Sequence, residues 1–135
     1  MEIIADYREK KIILELSKKH IKVNTKSLIS ADFIIQSKTI EDKEVLVGIE
    51  RKTVIDFLNS IIDKRIITQL ISLKENFDIP ILIIEGEENI YKIRNFHPNS
   101  IRGMLSAIAI DLQIPTLYTK NEKDTTSYIE TIAKG

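Results

Sequence analysis

Residues 80–85 read Pro-Ile-Leu-Ile-Ile-Glu, a continuous apolar run of strand length with no polar side chain between Ile81 and Ile84. A strand that alternates polar and apolar residues can keep one face in water, whereas this run has to be covered on both faces. Stretches with helical spacing supply the cover: Lys10–His20, Thr53–Ile62, Ile66–Phe77, Asn99–Leu112 and Asp124–Ala133. Pro98 sits where the first turn of the fourth of these begins, a position that tolerates a missing N–H. Strand-like segments are Glu2–Asp6, Ile21–Leu28, Asp32–Ser37, Glu44–Arg51 and Pro115–Tyr118, with Glu41-Asp42-Lys43 as the polar turn of a hairpin. The order is strand, helix, three strands, two helices, then strand–helix–strand–helix. It predicts an α/β fold with a mixed central β-sheet flanked by helices.

The 135 residues suit one domain spanning 1–135, and a hydrophobic fraction of 43% with 30% charged residues is that of a chain with a packed core. There are no cysteines, which excludes disulfides and thiolate-bound zinc, and His20 and His97 are too few for a histidine-rich centre. A metal here would be hard and oxygen-bound, which points to magnesium or manganese on carboxylates. Twenty basic residues balance twenty acidic ones, so attraction to a nucleic acid would have to come from local clusters. Lys18-Lys19-His20 with Lys22 and Lys26 is one such cluster, although a run of this size is usually a solvated face. No apolar stretch is long enough to span a bilayer and no signal-peptide layout opens the chain, so the expected location is intracellular, in the cytoplasm near DNA.

Strands place residues i and i+2 on one face, so Glu50 and Lys52 point the same way at the end of their strand. A carboxylate beside an ammonium can hold a divalent cation while the ammonium orients water or offsets phosphate charge. Asp32 opens the preceding strand and is placed to offer a second metal ligand. An aspartate followed at a distance by Glu-x-Lys is the signature of restriction-endonuclease-like nucleases. By itself it is weak, because Glu-x-Lys recurs by chance in any charged protein, where it does no more than solvate a strand end.

The surrounding blocks add to it. Gly48-Ile49-Glu50-Arg51-Lys52-Thr53-Val54-Ile55-Asp56 is similar to the Glu-Arg-Lys, three residues, Asp signature of the XPF/Hef/Mus nuclease family. Ile4-Ala5-Asp6-Tyr7-Arg8-Glu9 resembles that family's first-strand motif, and Ala31-Asp32-Phe33-Ile34 its Gly-Asp-Tyr-Ile motif. Ser60–Arg65 with Gln69 resembles the family's helix-end pattern that follows, and the block from Ile93 to Gly103 is especially like the archaeal Hef nuclease domain, all in the same order. Ala31 stands where the family usually has glycine, Ala5 where it has valine, and the hairpin between Asp32 and Glu50 is longer than in many relatives. The resemblance covers essentially the whole chain, without the helix–hairpin–helix module or helicase that often accompany such a domain. It implies a restriction-endonuclease-like three-layer core and a magnesium- or manganese-dependent endonuclease acting on forked, flapped or branched DNA in repair or stalled-fork processing. A non-catalytic subunit and a four-way-junction resolvase are the rival readings.

By resemblance, Asp32 and Glu50 are metal ligands with Asp6 a third acid, the alternative for Asp6 being a partner of Arg8 or a helix cap. Lys52 would position water, and Arg51, on the other strand face, would contact phosphate or brace the acids. Asp56 fits a capping box with Thr53 and can also act from behind the metal ligands. Arg8 and Arg65 read as phosphate contacts or supports, Lys64 as a DNA contact, and Gln69 as a neighbour of the cleft or a packing residue on the Arg65 face. Small residues Gly103, Ser106, Ala107 and Ala109 in the helix from Ile101 allow close helix packing. The family uses the corresponding region to dimerise, so a homodimer through the C-terminal helices is expected, burial against the chain's own sheet being the alternative.

Overall fold

The computed structural model describes residues 2–93 and 96–135; Arg94 and Asn95, within the block from Ile93 to Gly103, lie outside the described residues. The elements run β1 (Glu2–Asp6), α1 (Lys10–Lys18), β2 (Asn24–Lys26), β3 (Phe33–Lys38), β4 (Glu44–Thr53), α2 (Val54–Ile62), α3 (Arg65–Asn76), β5 (Ile79–Glu85), α4 (Pro98–Ile110), β6 (Thr116–Thr119) and α5 (Glu122–Lys134). The six strands form one sheet in the order β2-β1-β3-β4-β5-β6. β1, β3 and β4 pair antiparallel in turn, whereas β2 lies parallel to β1, and β5 and β6 continue parallel from β4. This is the expected mixed sheet flanked by helices, with the expected order of elements.

Alternation along the strands divides the core into two layers. Ile3, Phe33, Ile35, Val47, Ile49, Ile81 and Ile83 face α1 and α5, where Ile12, Leu16, Ile129 and Ala133 meet them. Leu82 and Ile84 face the other way, onto Phe57 and Leu58 of α2, Leu70 and Leu73 of α3, and Ile101 and Ile108 of α4. β5 is therefore covered on both sides, as its apolar run demands. Each fully buried Leu, Ile or Phe contributes about 1.5–3 kcal/mol, so the two layers dominate the stability.

Two local readings need correction. The segment expected as a strand from Ile21 to Leu28 pairs over Asn24–Lys26 only, all three residues exposed at the sheet edge. Ile21 instead turns into the core, and Leu28 N–H leaves the ladder to donate to Asp6 Oδ1 at 2.9 Å. The capping box at α2 is half formed: Asp56 N–H donates to Thr53 Oγ1 at 3.1 Å, with no return bond from the Asp56 carboxylate among the described residues. At α4, Pro98 takes the first turn and His97 caps the helix, its Nδ1 accepting from Asn99 N–H at 3.1 Å.

Candidate active site

Register builds the site. Phe33 pairs with Ile49 across β3 and β4, and Ala5 with Phe33 across β1 and β3. Asp32 lies in the bend just before β3, where its carbonyl accepts Asp6 N–H of β1 at 2.9 Å and its own N–H donates to the Ile49 carbonyl of β4 at 2.8 Å. Arg51 N–H also donates to Asp32 Oδ2 at 2.8 Å, so Asp32 is bonded to both chain neighbours of Glu50, although a long hairpin separates them in the chain.

Lys52, two residues beyond Glu50, brings its Nζ to 3.4 Å from Glu50 Oε2, and both side chains are largely buried. Burial, and then the charge of Asp32, push the Glu50 carboxyl up to about 7; Lys52 opposes that rise. Burial raises Asp32 as well, against the pull of the Arg51 N–H and Lys52. Asp32, Glu50 and Arg8 share a cleft of about 260 Å³ with residues 28–31 on one side and Thr68, Gln69 and Ser72 of α3 on the other.

Asp6, Asp32 and Glu50 do not make three equivalent ligands. Asp6 Oδ2 accepts from Arg8 N–H at 3.0 Å and Arg8 Nε at 2.8 Å, and its Oδ1 accepts from Leu28 N–H. The Arg8 guanidinium holds the Asp6 carboxyl down to about 2 despite burial. Where a third free acid was expected, the structure has a carboxylate engaged in bracing the turn after β1 and the loop before β3. Among the described residues no three carboxylate or imidazole side chains converge into a ready-made metal cage.

Arg51 lies on the opposite sheet face, as alternation requires. Its Nε and Nη2 donate to the two oxygens of Glu85 at 2.9 and 2.6 Å, and Nη1 donates to Glu9 at 2.8 Å. Thr125 of α5 donates to Glu85 at 2.6 Å and shares a hydrogen bond with Thr119 of β6. The guanidinium bonds tie Arg51 to two acids on that face. Glu9, Glu85 and Thr125 escaped the sequence reading. Glu9 was visible as the last residue of the first-strand motif; Glu85 and Thr125 carried no local signal.

The remaining expected residues lie apart from this cleft. Asp56 is exposed on the first turn of α2. Lys64 sits in left-handed backbone between α2 and α3, and exposed Arg65 pairs with Asp63 at 2.6 Å. Of the basic cluster, Lys18 pairs with Glu15, and Lys19 with Glu130.

Comparison with known proteins follows the same lines. The profile of the ERCC4 domain matches residues 5–132. The chain belongs to the ERCC4 domain family. Over 99% of its length it is 34% identical to the 3'-flap repair endonuclease Xpf of Saccharolobus solfataricus, and equally so to a Methanocaldococcus jannaschii protein whose name places it among ATP-dependent RNA helicases. It spans 55% and 15% of those relatives, respectively. XPF from Aeropyrum pernix, solved in complex with DNA, superposes over 98% of the chain with a TM-score of 0.82 at 25% identity, the chain covering 62% of that structure; the structure named without DNA also gives 0.82, with 60% covered. The ERCC4 domain here therefore has the restriction-endonuclease-like architecture of the XPF nuclease domain. No helix among the described residues is long and apolar enough to cross a membrane.

The donor chemistry of this ERCC4 domain fits a hard divalent cation. Asp6, Glu9, Asp32, Glu50 and Glu85 gather at one end of the sheet with Arg8, Arg51 and Lys52. With every group ionised the cluster carries two negative charges in excess. Glu9, like Glu50, is pushed up to about 7, by burial first and then by Asp32. Asp32 and Glu50 both line the cleft, and magnesium commonly takes one or two carboxylates and completes its shell with water and phosphate oxygens.

Proposed function

We propose that the chain is a metal-dependent, structure-specific DNA endonuclease that hydrolyses phosphodiester bonds in forked, flapped or branched DNA, in repair or stalled-fork processing. The observation that carries this reading is the Asp32–Glu50 pair lining one cleft, Asp32 bonded to Arg51 N–H beside Glu50, with Lys52 at 3.4 Å from Glu50. Two buried acids whose affinity for protons is raised also favour a divalent cation in place of protons. The A. pernix relative solved with DNA adds support from the same fold.

Asp32 and Glu50 would hold magnesium or manganese, which when bound supplies polarisation of a phosphoryl oxygen and a lowered water pKa. Lys52 would place its ammonium beside the phosphate, offsetting charge that grows in the transition state. Arg8, whose side chain is 68% exposed at the cleft, would engage phosphate while remaining tied to Asp6. Asp6 and Arg51 would hold the metal ligands in place from behind. Lys64 and Arg65 would steer DNA from the α2–α3 junction, with Asp56 at the exposed start of α2 in a supporting role. Gln69 would act from the far wall of the cleft. Recognition would rest on DNA shape, since no aromatic stacking platform lines the cleft among the described residues.

The second copy of a homodimer would dock on α4 and β6. Gly103, Ser106, Ala109 and Ile110 are exposed there, and Ile110 and Tyr118 are 72% and 57% exposed. Only Ile101 and Ile108 of α4 are fully buried against the chain's own core, which favours the dimer over the alternative. A dimer mass by light scattering at micromolar concentration, lost in Ile110→Asp, is the expected result; a monomer in the wild type sinks this part.

The deciding experiment is cleavage of end-labelled fork, flap and four-way-junction DNA with magnesium or manganese, comparing wild type, Glu50→Ala and Lys52→Ala. Metal-dependent cutting of forks or flaps, abolished in both folded variants, supports the reading. Preference for the four-way junction turns it toward a resolvase. Tight binding without cutting by the wild type turns it toward a non-catalytic subunit.

A further inference from the structure

Tyr7 is a large aromatic side chain left 55% exposed at the turn after β1, outside the lining of the cleft. The backbone holds it there: Tyr7 N–H donates to the Lys26 carbonyl of β2 at 2.9 Å, and Glu9 N–H donates to the Asp6 carbonyl at 3.0 Å. On the α1 side of the sheet Tyr7 lines an open groove of about 380 Å³, together with Lys10, Ile13, Leu14 and Ser17 of α1 and Thr25 of β2. That volume lies in the range of small-ligand sites. Arg8 joins the groove to the cleft. It lines the cleft with Asp32 and Glu50, and its guanidinium carbon stands 5.9 Å from the centre of the Tyr7 ring.

Charge and shape select the occupant. No acid lines the groove, Lys10 stands in it, and exposed Lys26 follows Thr25 on the way to the cleft wall at residues 28–31. Lys11, Lys18 and Lys19 are taken up by Glu122, Glu15 and Glu130, whereas Lys10 and Lys26 enter no ion pair among the described residues. The matching partner is a polyanion, and one with flat apolar faces between its charges suits a groove of aromatic and aliphatic side chains. A peptide strand added at the β2 edge fits less well, since three exposed residues offer it few ladder bonds. Resting on the nuclease reading above, we propose that this groove takes one unpaired base from the single-stranded arm of the DNA, stacked on Tyr7, with Arg8 and Lys10 holding phosphates on either side. Stacking of this kind accepts any base, so recognition stays one of shape. The strand that crosses the cleft then leaves past Arg8 and turns round the end of the sheet toward α1.

Fork DNA with one abasic site at successive positions of its single-stranded arm tests this by fluorescence anisotropy in calcium, where the readout is binding and not cutting. One position near the branch should cost wild type about 5- to 100-fold in affinity, the range for one stacked base. Tyr7→Ala should lose the same factor on intact fork and nothing further at that position, a coupling that a merely structural role does not produce. Tyr7→Phe should bind and couple as wild type does. Tyr7→Leu keeps apolar bulk beside α1, so it serves if the alanine variant is unstable, and it should lose affinity as Tyr7→Ala does. Wild-type affinity in folded Tyr7→Leu overturns the proposal. So do equal abasic penalties in wild type and Tyr7→Ala at every position, the result expected if the groove serves a protein partner. A wild type that binds no fork at low salt overturns it as well. The nuclease reading fails separately: a wild type that cuts without coupling overturns this inference alone, and coupling in a wild type that cuts nothing supports the groove and removes catalysis.

Discussion

Asp32 Oδ2 accepts the backbone N–H of Arg51 at 2.8 Å, so the carboxylate is held by the strand whose next residue back is Glu50. The guanidinium of the same arginine is clamped by Glu85 and Glu9 on the other side of the sheet. One residue therefore fixes a candidate metal ligand through its backbone and ties β4 to α1 and β5 through its side chain.

Asp32→Asn preserves an acceptor for that N–H and removes the charge. Its melting temperature should stay within a few degrees of wild type while metal-stimulated cleavage falls by at least about 100-fold. Calorimetry beside a cleavage assay checks both; full activity in the variant would remove Asp32 from the metal site.

Arg51→Ala leaves Glu9 and Glu85 facing each other without a cation. Breaking a buried pair in this way costs on the order of 3–5 kcal/mol. Arg51→Lys should recover little of this, because an ammonium cannot make two parallel bonds to Glu85 and reach Glu9 as well. Urea unfolding of the three proteins gives the comparison, and a lysine variant as stable as wild type would contradict it.

Lys52→Ala leaves Asp32 and Glu50 as two close acids whose carboxyls already lie above their ordinary range. The loss should be largest where both are ionised, on the order of 3 kcal/mol at pH 8, and smaller at pH 5 where Glu50 takes a proton. Added magnesium should restore part of it at pH 8. A loss independent of both pH and magnesium would mean that Lys52 acts by packing alone.

Stability should respond to pH in two opposite senses. Asp6 has a folded pKa of about 2, below its ordinary value, so its contribution is present above pH 4 and lost as pH falls toward 2. Glu9 and Glu50 have folded values of about 7, above the ordinary range. The folded state then binds more protons than the unfolded one between about pH 4.5 and 7, and stability declines as pH rises through that window. Without divalent cation the Tm maximum should fall near pH 4–5, and magnesium should raise Tm most above pH 7. Asp6→Asn should flatten the acid limb only; an acid limb unchanged in that variant would refute the assignment.

Much of this was legible in local order. The apolar run of β5, the helical spacing of Val54, Phe57 and Leu58, Pro98 ahead of α4 and the Glu50-x-Lys52 alternation are each written within a few residues, where 2.0 and 3.6 periods apply. β2 was over-read because Ile21–Leu28 alternates weakly, while an exposed edge strand has one neighbour and little reason to extend. Asp56 was readable as a cap of α2 from Thr53 but not as half a box, since the return bond depends on a rotamer.

The sequence by itself determined the layers and supplied Glu50, Arg51 and Lys52 on their strand, because side-chain direction follows from position along a strand; Asp32, expected to open β3, lies one residue before it. Only the tertiary structure decided that Asp6 braces instead of standing free, because its partners Arg8 and Leu28 converge through the loop after β2. It also decided that Arg51 meets Glu85, Glu9 and, through Glu85, Thr125, groups brought from β5, α1 and α5 by strand pairing and helix packing. The oxygen of Gln69 belongs to the same category: helix spacing gives its face, and only the packing around α3 shows that no group among the described residues satisfies it.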